Sequence, residues 1–182
     1  MESRIRSFSP IASGSAHTLI LGSMPGEASL KAGQYYAHPR NAFWKIMAEI
    51  IGFEPDASYE DRLEALKSSG VALWDVLHSC QRKGSLDSAI ETDSIEVNDF
   101  VAFFTAHPDI TLICFNGIAA EQSYKKYALD KPLACAIQHI RLPSTSPAHA
   151  ALSFQQKVEA WKTALTVHAS ETLVAALTQR KN

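Results

Sequence analysis

Cysteine is scarce in this sequence, and long apolar runs are missing from it. The three cysteines among 182 residues are odd in number and widely spaced, at Cys80, Cys114 and Cys135. This pattern is typical of free thiols in a reducing compartment rather than of a disulfide framework. No stretch approaches the roughly 18 consecutive apolar residues of a membrane span, and Met1 leads into no apolar signal segment. We therefore expect a cytoplasmic protein that does not associate with membranes.

A strong excess of charge of either sign is also missing. The formal net charge of -2 at pH 7 gives no global attraction to nucleic acid, although an enzyme acting on DNA needs only a local basic rim. The phosphate-binding and dinucleotide-binding glycine motifs do not occur, which disfavours a nucleotide-binding α/β enzyme. The seven histidines form no close helical pair and do not neighbour the cysteines, so no metal site is predicted.

Four short apolar segments alternate with segments of helical periodicity. The predicted strands are Thr18–Leu21, Val71–Trp74, Ile110–Phe115 and Ile137–Leu142. Helices are predicted over residues 41–51, 58–70, 97–106 and 117–127, from about 153, and over 171–179, with a long loop at 23–40 and an irregular polar segment at 79–95. This alternation predicts one α/β domain spanning residues 1–182, with a mostly parallel sheet.

Ligands of such sheets bind at the carboxyl ends of the strands, so the loops that follow the strands are the candidate site. The first is Gly22-Ser23-Met24-Pro25-Gly26, whose glycines would let the backbone approach a ligand and whose amides could hold an anion. Tyr35 and Tyr36 could supply a stacking surface for a nucleobase. The same residues also fit a plain turn and core aromatics.

Two further loops carry polar groups suited to nucleic acid. Asn116 ends the third strand, and its amide could read a base edge or simply cap the next helix. The loop 142–149 places three hydroxyls between two prolines, which suits either phosphate binding or an ordinary turn. Asp75 is the best-placed carboxylate, although a lone aspartate at a strand end is more often a cap or a salt-bridge partner. Basic residues that could form a rim are Arg40, Arg82, Lys83 and Arg141.

Taken together, these loops resemble the uracil-DNA glycosylase superfamily. The segment 19–26 (LILGSMPG) looks like its first motif, 36–45 (YAHPRNAFWK) like a segment of the mismatch-specific branch, and 142–147 (LPSTSP) stands in place of the second motif. GSMPG and LPSTSPAHA recur in the hypoxanthine-DNA glycosylase branch, which residues 71–89 also resemble. The resemblance covers roughly residues 17–165 and implies a three-layer sandwich around a four-stranded sheet.

The resemblance implies a monofunctional DNA glycosylase that flips a deaminated base, above all hypoxanthine, out of double-stranded DNA and hydrolyses its N-glycosidic bond. It implies no cofactor and a monomeric enzyme. Met24 stands where many members carry a water-positioning Asp or Asn, and a thioether cannot hold a water firmly. The resemblance therefore assigns catalysis to Asn41, together with Ser144. The implied base-binding residues are Gly22, Ser23, Met24, Pro25, Gly26, Tyr36 and Asn116. The implied DNA-binding residues are Arg40, Ser144, Thr145, Ser146, Pro147, Ala148 and His149.

Two alternatives stay open at this point. A G:U or G:T mismatch-specific uracil/thymine-DNA glycosylase would share the fold, although Met24 and Ser144 disfavour it. A catalytically silent module that binds lesions without cutting them would explain the missing acid at position 24.

Overall fold

A four-stranded parallel sheet forms the centre of the computed structural model, which describes residues 4–129 and 137–179, with side chains as far as Thr166. The strands are β1 (Arg4–Arg6), β2 (Thr18–Gly22), β3 (Val71–Asp75), β4 (Leu77–Gln81), β5 (Glu96–Val97), β6 (Leu112–Asn116) and β7 (Gln138–Leu142). The helices are α1 (Glu27–Ala32), α2 (Phe43–Ile51), α3 (Tyr59–Ser68), α4 (Phe100–Ala106), α5 (Ile118–Tyr127) and α6 (Phe154–Gln179). The central sheet has the order β3-β2-β6-β7, and all three strand pairs are parallel. Cys135 lies outside the described residues, and Cys80 and Cys114 are buried free thiols.

Helices cover both faces of this sheet. Successive side chains of a strand point to opposite faces, and alternate residues of β2, β3 and β6 accordingly belong to two separate apolar clusters. Leu19 and Leu21 pack with the aromatic residues of α4 and with Tyr124 of α5. Ile20 packs with α2, α3 and α6, including Trp161. The predicted three-layer α/β sandwich is therefore confirmed, and every pair in its sheet is parallel.

A small antiparallel sheet lies beside the central one, and the sequence patterns did not predict it. β4 pairs with β1 on one side and with β5 on the other. The segment 79–95 was expected to be irregular, yet it begins inside β4 and continues through two 3-10 turns, Asp87–Ala89 and Thr92–Ser94. Because β1 and β5 have three and two residues, neither is long enough to show a strand period.

Several predicted helix limits also change. The loop expected over 23–40 contains α1, whose six residues are too few for a recognisable apolar stripe. α4 begins at Phe100 rather than near Val97, because Asp99 accepts a hydrogen bond from the amide of Ala102 and caps the helix. The two helices expected after residue 153 form one continuous helix, α6.

Candidate active site

A cavity of about 440 Å³ opens at the carboxyl edge of the central sheet. The last residues of three strands, Gly22, Asp75 and Asn116, contribute to its wall. The lining also includes Ser23, Met24, Pro25, Gly26, Tyr36, Asn41, Ser144, Thr145, Ser146, Pro147 and Ala148. The structure thus brings every residue expected to bind the base to one cavity, together with both expected catalytic residues.

The 22–26 loop is held in place by the segment that follows β4. The Ser23 hydroxyl donates to Asp87 Oδ2 over 2.8 Å, and the amide of Glu27 donates to Ser85 Oγ over 2.9 Å. Arg82, whose side chain is 0% exposed, donates to the carbonyl of Pro25 and lies 3.8 Å from Asp87 Oδ1. Within the described residues, the backbone amides of Ser23 and Met24 donate to no protein acceptor. These amides therefore stay available to a ligand.

Tyr36 is fixed in an uncommon backbone conformation on the cavity wall. Its φ of 55° lies in the left-handed region, which costs free energy for a residue with a side chain. The neighbouring backbone is held by bonds from Trp44 Nε1 to the carbonyl of Tyr35 (2.8 Å) and from the amide of Ala37 to Ser29 Oγ (3.2 Å). Phe43 stacks on one face of the Tyr36 ring at a centroid distance of 4.1 Å. A bound base would have to stack on the other face.

Asn41 lines the cavity just before α2. Its Oδ1 accepts the amide of Phe43 over 2.9 Å, so the carbonyl end of the side chain is already oriented. Among the described residues its Nδ2 has no hydrogen-bond partner, and the amide oxygen keeps a second lone pair. Asn41 directly precedes Ala42, the N-cap residue of α2, and its oxygen and nitrogen can both still contact a water molecule.

Asn116, the last residue of β6, ties this strand to the loop after β7. Its Nδ2 donates to Thr145 Oγ1 over 2.9 Å, and its Oδ1 accepts the amide of Thr145 over 2.8 Å. Thr145, expected to contact DNA, is only 1% exposed and holds the loop instead. Gly117 has φ +93°, and a Cβ there would lie 2.8 Å from Cβ of Ser144. Only glycine therefore allows this loop to approach the strand end.

The loop 143–149 is anchored at both ends by α6. Trp161 Nε1 donates to the carbonyl of Pro143 over 3.0 Å, and Lys157 Nζ donates to the carbonyl of His149 over 2.7 Å. Lys157 is 6% exposed, and burial lowers its pKa. Between the anchors Ser146, Pro147 and Ala148 line the cavity, whereas His149 does not. α6 therefore sets the position of the predicted DNA-binding loop.

The basic residues expected at the rim separate into different environments. Arg82 is buried behind the first loop and cannot contact a phosphate in this conformation, which corrects its expected place at the rim. Arg141 is exposed and forms an ion pair with Glu121 at 3.0 Å. Arg40 and Lys83 are exposed, and neither lines the cavity.

Two carboxyl groups and one apolar side chain lie in the site although the sequence patterns gave them no role there. Asp75, Asp87 and Leu86 all line the cavity, and Leu86 is 61% exposed. Burial raises the pKa of Asp75 to about 8, the negative charge of Asp87 acts in the same direction, and Arg82 opposes both. Burial also raises the pKa of Asp87, while the Ser23 hydroxyl and Arg82 lower it. The position of Asp75 directly after a buried strand was the available signal.

No group of three or more His, Cys, Asp or Glu side chains in the described residues could hold a metal ion. In the same part of the chain, no helix has the length and apolar character required to cross a membrane.

Comparisons with known proteins agree with this geometry. Residues 10–165 match the family model described as the uracil DNA glycosylase superfamily. A hypoxanthine DNA glycosylase of Methanosarcina barkeri is 40% identical over 111 residues, which cover 60% of this chain and 69% of that protein. One of Methanosarcina acetivorans is 40% identical over 113 residues, covering 62% and 70%. The solution NMR structure of a Methanosarcina acetivorans protein described as a uracil DNA glycosylase matches with a TM-score of 0.73 and 31% identity, covering 92% of this chain and 99% of that one.

Proposed function

This chain belongs to the uracil DNA glycosylase superfamily, and we propose that it is a monofunctional DNA glycosylase that excises hypoxanthine from double-stranded DNA in base excision repair. The observation that carries the proposal is the convergence of three separate segments on one cavity: the 22–26 loop, the Tyr36–Asn41 segment and the loop 144–148. The two Methanosarcina relatives, both hypoxanthine DNA glycosylases, support the choice of base.

The cavity suits a base that has left the duplex. Its volume of about 440 Å³ falls within the roughly 300–1,000 Å³ of small-molecule sites. Flipping a nucleotide costs about a few kcal/mol, and less where the base is mispaired, as hypoxanthine is opposite many partners. Tyr36 would stack on the base with its free face. The amides of Ser23 and Met24 and the remaining N–H of Asn116 would bind its polar edge.

The reaction we propose is hydrolysis with a dissociative transition state. The bond between sugar C1′ and the base nitrogen breaks, positive charge develops on the sugar, and water adds to C1′. Asn41 would orient that water, because its amide can accept from and donate to it but cannot act as a strong base. None of the cavity-lining residues that the structure describes is a lysine. This composition supports hydrolysis without a covalent Schiff base.

Base release from labelled duplexes tests the proposal. Each duplex carries a single hypoxanthine, uracil, xanthine or mismatched thymine, and alkali converts the abasic product to a strand break. We expect release mainly of hypoxanthine. We expect Asn41→Ala to lose the hydrogen bond from the Phe43 amide but still to fold, and to lose most of this activity, at least about 100-fold, because the water-orienting amide is removed.

Each other result has a defined meaning. Preferential release of uracil or thymine would move the chain to a different branch of the superfamily. Lesion-selective binding without release of any base would favour the catalytically silent module. Full activity of a folded Asn41→Ala protein would remove Asn41 from the mechanism. Lys45→Ala, an exposed position one turn into α2 outside the cavity, serves as the control for loss of a side chain in this segment.

A further inference from the structure

Asp75 is a buried carboxyl group that neither the fold nor the proposed mechanism accounts for. It is 3% exposed and lines the cavity, and its Oδ2 has no hydrogen-bond partner among the described residues. A lone aspartate at a strand end was expected to cap a helix or to form a salt bridge. In the described part of the chain its side chain does neither, and Asn98 Nδ2 donates to its backbone carbonyl over 2.8 Å. Leaving such a group unpartnered costs free energy, so a functional reason is needed.

Gly22 makes room for this carboxyl group. Gly22 and Asp75 are register partners on neighbouring strands, and a Cβ at position 22 would lie 2.4 Å from Asp75 Oδ1 and 3.1 Å from the hydroxyl oxygen of Tyr36. The Tyr36 hydroxyl is a second buried group without a partner in the described structure. Oδ1 of the Asp75 carboxyl group and the Tyr36 hydroxyl oxygen therefore lie against the same glycine, beside the ring expected to stack on the base.

The surroundings of Asp75 favour the neutral carboxylic acid. Burial and the nearby negative charge of Asp87 raise its pKa to about 8, and Arg82 acts weakly against them. Arg82 lies near Asp87 and bonds to backbone carbonyls, so it is not an ion-pair partner of Asp75. A neutral carboxylic acid is a hydrogen-bond donor, whereas a carboxylate is only an acceptor.

We propose that Asp75 is a catalytic acid, whose carboxyl proton is donated to the purine that leaves. As the bond from C1′ to the base breaks, its electron pair stays on the purine, and the Asp75 proton moves to a ring nitrogen of that purine. Water bonds to C1′ and loses a proton to solvent, and the Asp75 carboxylate regains one from solvent. The sum is one water consumed and one neutral purine released. This inference rests on the proposed glycosylase function. It supplies the proton donor of the reaction, a role that the amide of Asn41 cannot fill.

Such an acid also bears on the choice of base. Purines carry ring nitrogens that accept a proton, and a leaving purine is stabilised when one of them is protonated. A proton donor on the cavity wall is therefore suited to a purine leaving group such as hypoxanthine.

The test is the pH dependence of single-turnover release of hypoxanthine between pH 5.5 and 9.5. We expect the wild-type rate to fall tenfold per pH unit above a midpoint near 8. Asp75→Asn keeps a neutral donor of the same shape but has no proton to transfer. We expect it to be at least about tenfold slower at pH 7 and to lose the alkaline fall, and we expect Asp75→Ala to be slower still. Asp109→Asn, at an exposed position outside the cavity, should follow the wild type.

Other titratable groups face the same cavity: Glu27, Tyr35, Tyr36, His38 and Asp87. All of them remain in Asp75→Asn, so an alkaline fall that any of them caused would persist in the variant and would overturn the proposal. Wild-type rates in Asp75→Asn at every pH would overturn it as well.

An infrared difference spectrum, wild type minus Asp75→Asn, gives a readout that does not depend on activity. We expect the C=O band of a protonated carboxylic acid at pH 6, disappearing near pH 8. A carboxylate band at pH 6 would overturn the proposal even if the variant is inactive. Wild-type protein that releases no hypoxanthine would contradict the proposed function itself, and with it this role. If the wild type releases hypoxanthine normally and the rate of Asp75→Asn still falls above pH 8 as the wild-type rate does, only the role of Asp75 is contradicted.

Discussion

At the residue scale, the polar side chains of the cavity differ in how completely the protein uses them. Asn116 is bonded to Thr145 at both ends of its amide, and the oxygen of Asn41 is bonded to the backbone. By contrast, the Asp75 carboxyl and the Tyr36 hydroxyl contain buried oxygens without partners. The hydrogen bonds of Asn116 and Asn41 position the loops, and the atoms that stay unbonded in these two side chains and in the Asp75 carboxyl are available to substrate.

The unsatisfied carboxyl predicts a dependence of stability on pH. Burial raises the folded-state pKa of Asp75 to about 8 from its ordinary value of 3.8, so the folded state binds more protons than the unfolded state between these values. Stability should therefore fall as pH rises from about 4 to about 8. Asp75→Asn has no carboxyl group to titrate, so it should not lose stability for this reason as pH rises. The difference in the free energy of unfolding, variant minus wild type, should therefore increase by about a few kcal/mol from pH 4 to pH 8.

Denaturant unfolding at a series of pH values measures this difference. Comparing the two proteins across pH isolates the titration, because any constant cost of burying the asparagine amide cancels. A difference that stays constant from pH 4 to pH 8 would mean that Asp75 titrates alike in the folded and unfolded protein.

At the scale of elements, two segments to which the sequence patterns gave no role in the site shape it. The segment 82–87 after β4 supports the first loop through Arg82 and Asp87 and also carries Leu86, a large exposed apolar side chain on the cavity wall. α6 anchors the loop 143–149 through Trp161 and Lys157. The loops that recognise a base thus depend on neighbours far away in sequence.

The exposed position of Leu86 on the cavity wall predicts that this side chain helps to keep the flipped base out of the duplex. The loop 144–149 contains no large apolar side chain, and an apolar residue at the cavity mouth can fill the space that a flipped base leaves. We expect Leu86→Ala to reduce release from a fully paired duplex by about tenfold and to affect a single-stranded substrate less. Leu129→Ala, exposed and outside the cavity, is the matched control. Equal losses on both substrates would contradict this role.

Because Lys157 of α6 anchors the loop 143–149, we expect a substitution of Lys157 outside the cavity to weaken the position of this loop. Lys157→Met keeps the length of the buried chain but removes the donor to the carbonyl of His149. A hydrogen bond from a charged group contributes about 1.5–3 kcal/mol, so we expect the Kd for hypoxanthine-containing duplex to rise about tenfold or more, with the fold retained. Lys162→Met, exposed on the same helix, should leave the Kd near the wild-type value. Fluorescence anisotropy distinguishes the two.

At the scale of the whole molecule, charge does not identify the surface that binds DNA. The net charge is -2, and of the four basic residues expected at the rim one is buried and another is paired with Glu121. The shape of the fold is more informative, because three parallel strands end beside the cavity. A monomeric state and a cytoplasmic location stay predictions.

Much of this architecture follows from local patterns in the sequence. The four strands of the central sheet and most helices were predicted to within a few residues, because each has enough residues to show a period or an apolar run. The motif strings also pointed to the loops that line the cavity. The short elements β1, β5 and α1 were missed because they contain too few residues for a pattern.

The sequence by itself determined the fold class, the family and the loops of the site, since these depend on residue types at fixed local spacing. Only the tertiary structure decided the strand order β3-β2-β6-β7, the burial of Arg82 and the exposure of Leu86. It alone placed Asp75 against Gly22 and Tyr36. These features depend on contacts between segments distant along the chain, and whether a carboxyl group is desolvated or hydrated is decided by the neighbours that packing brings to it.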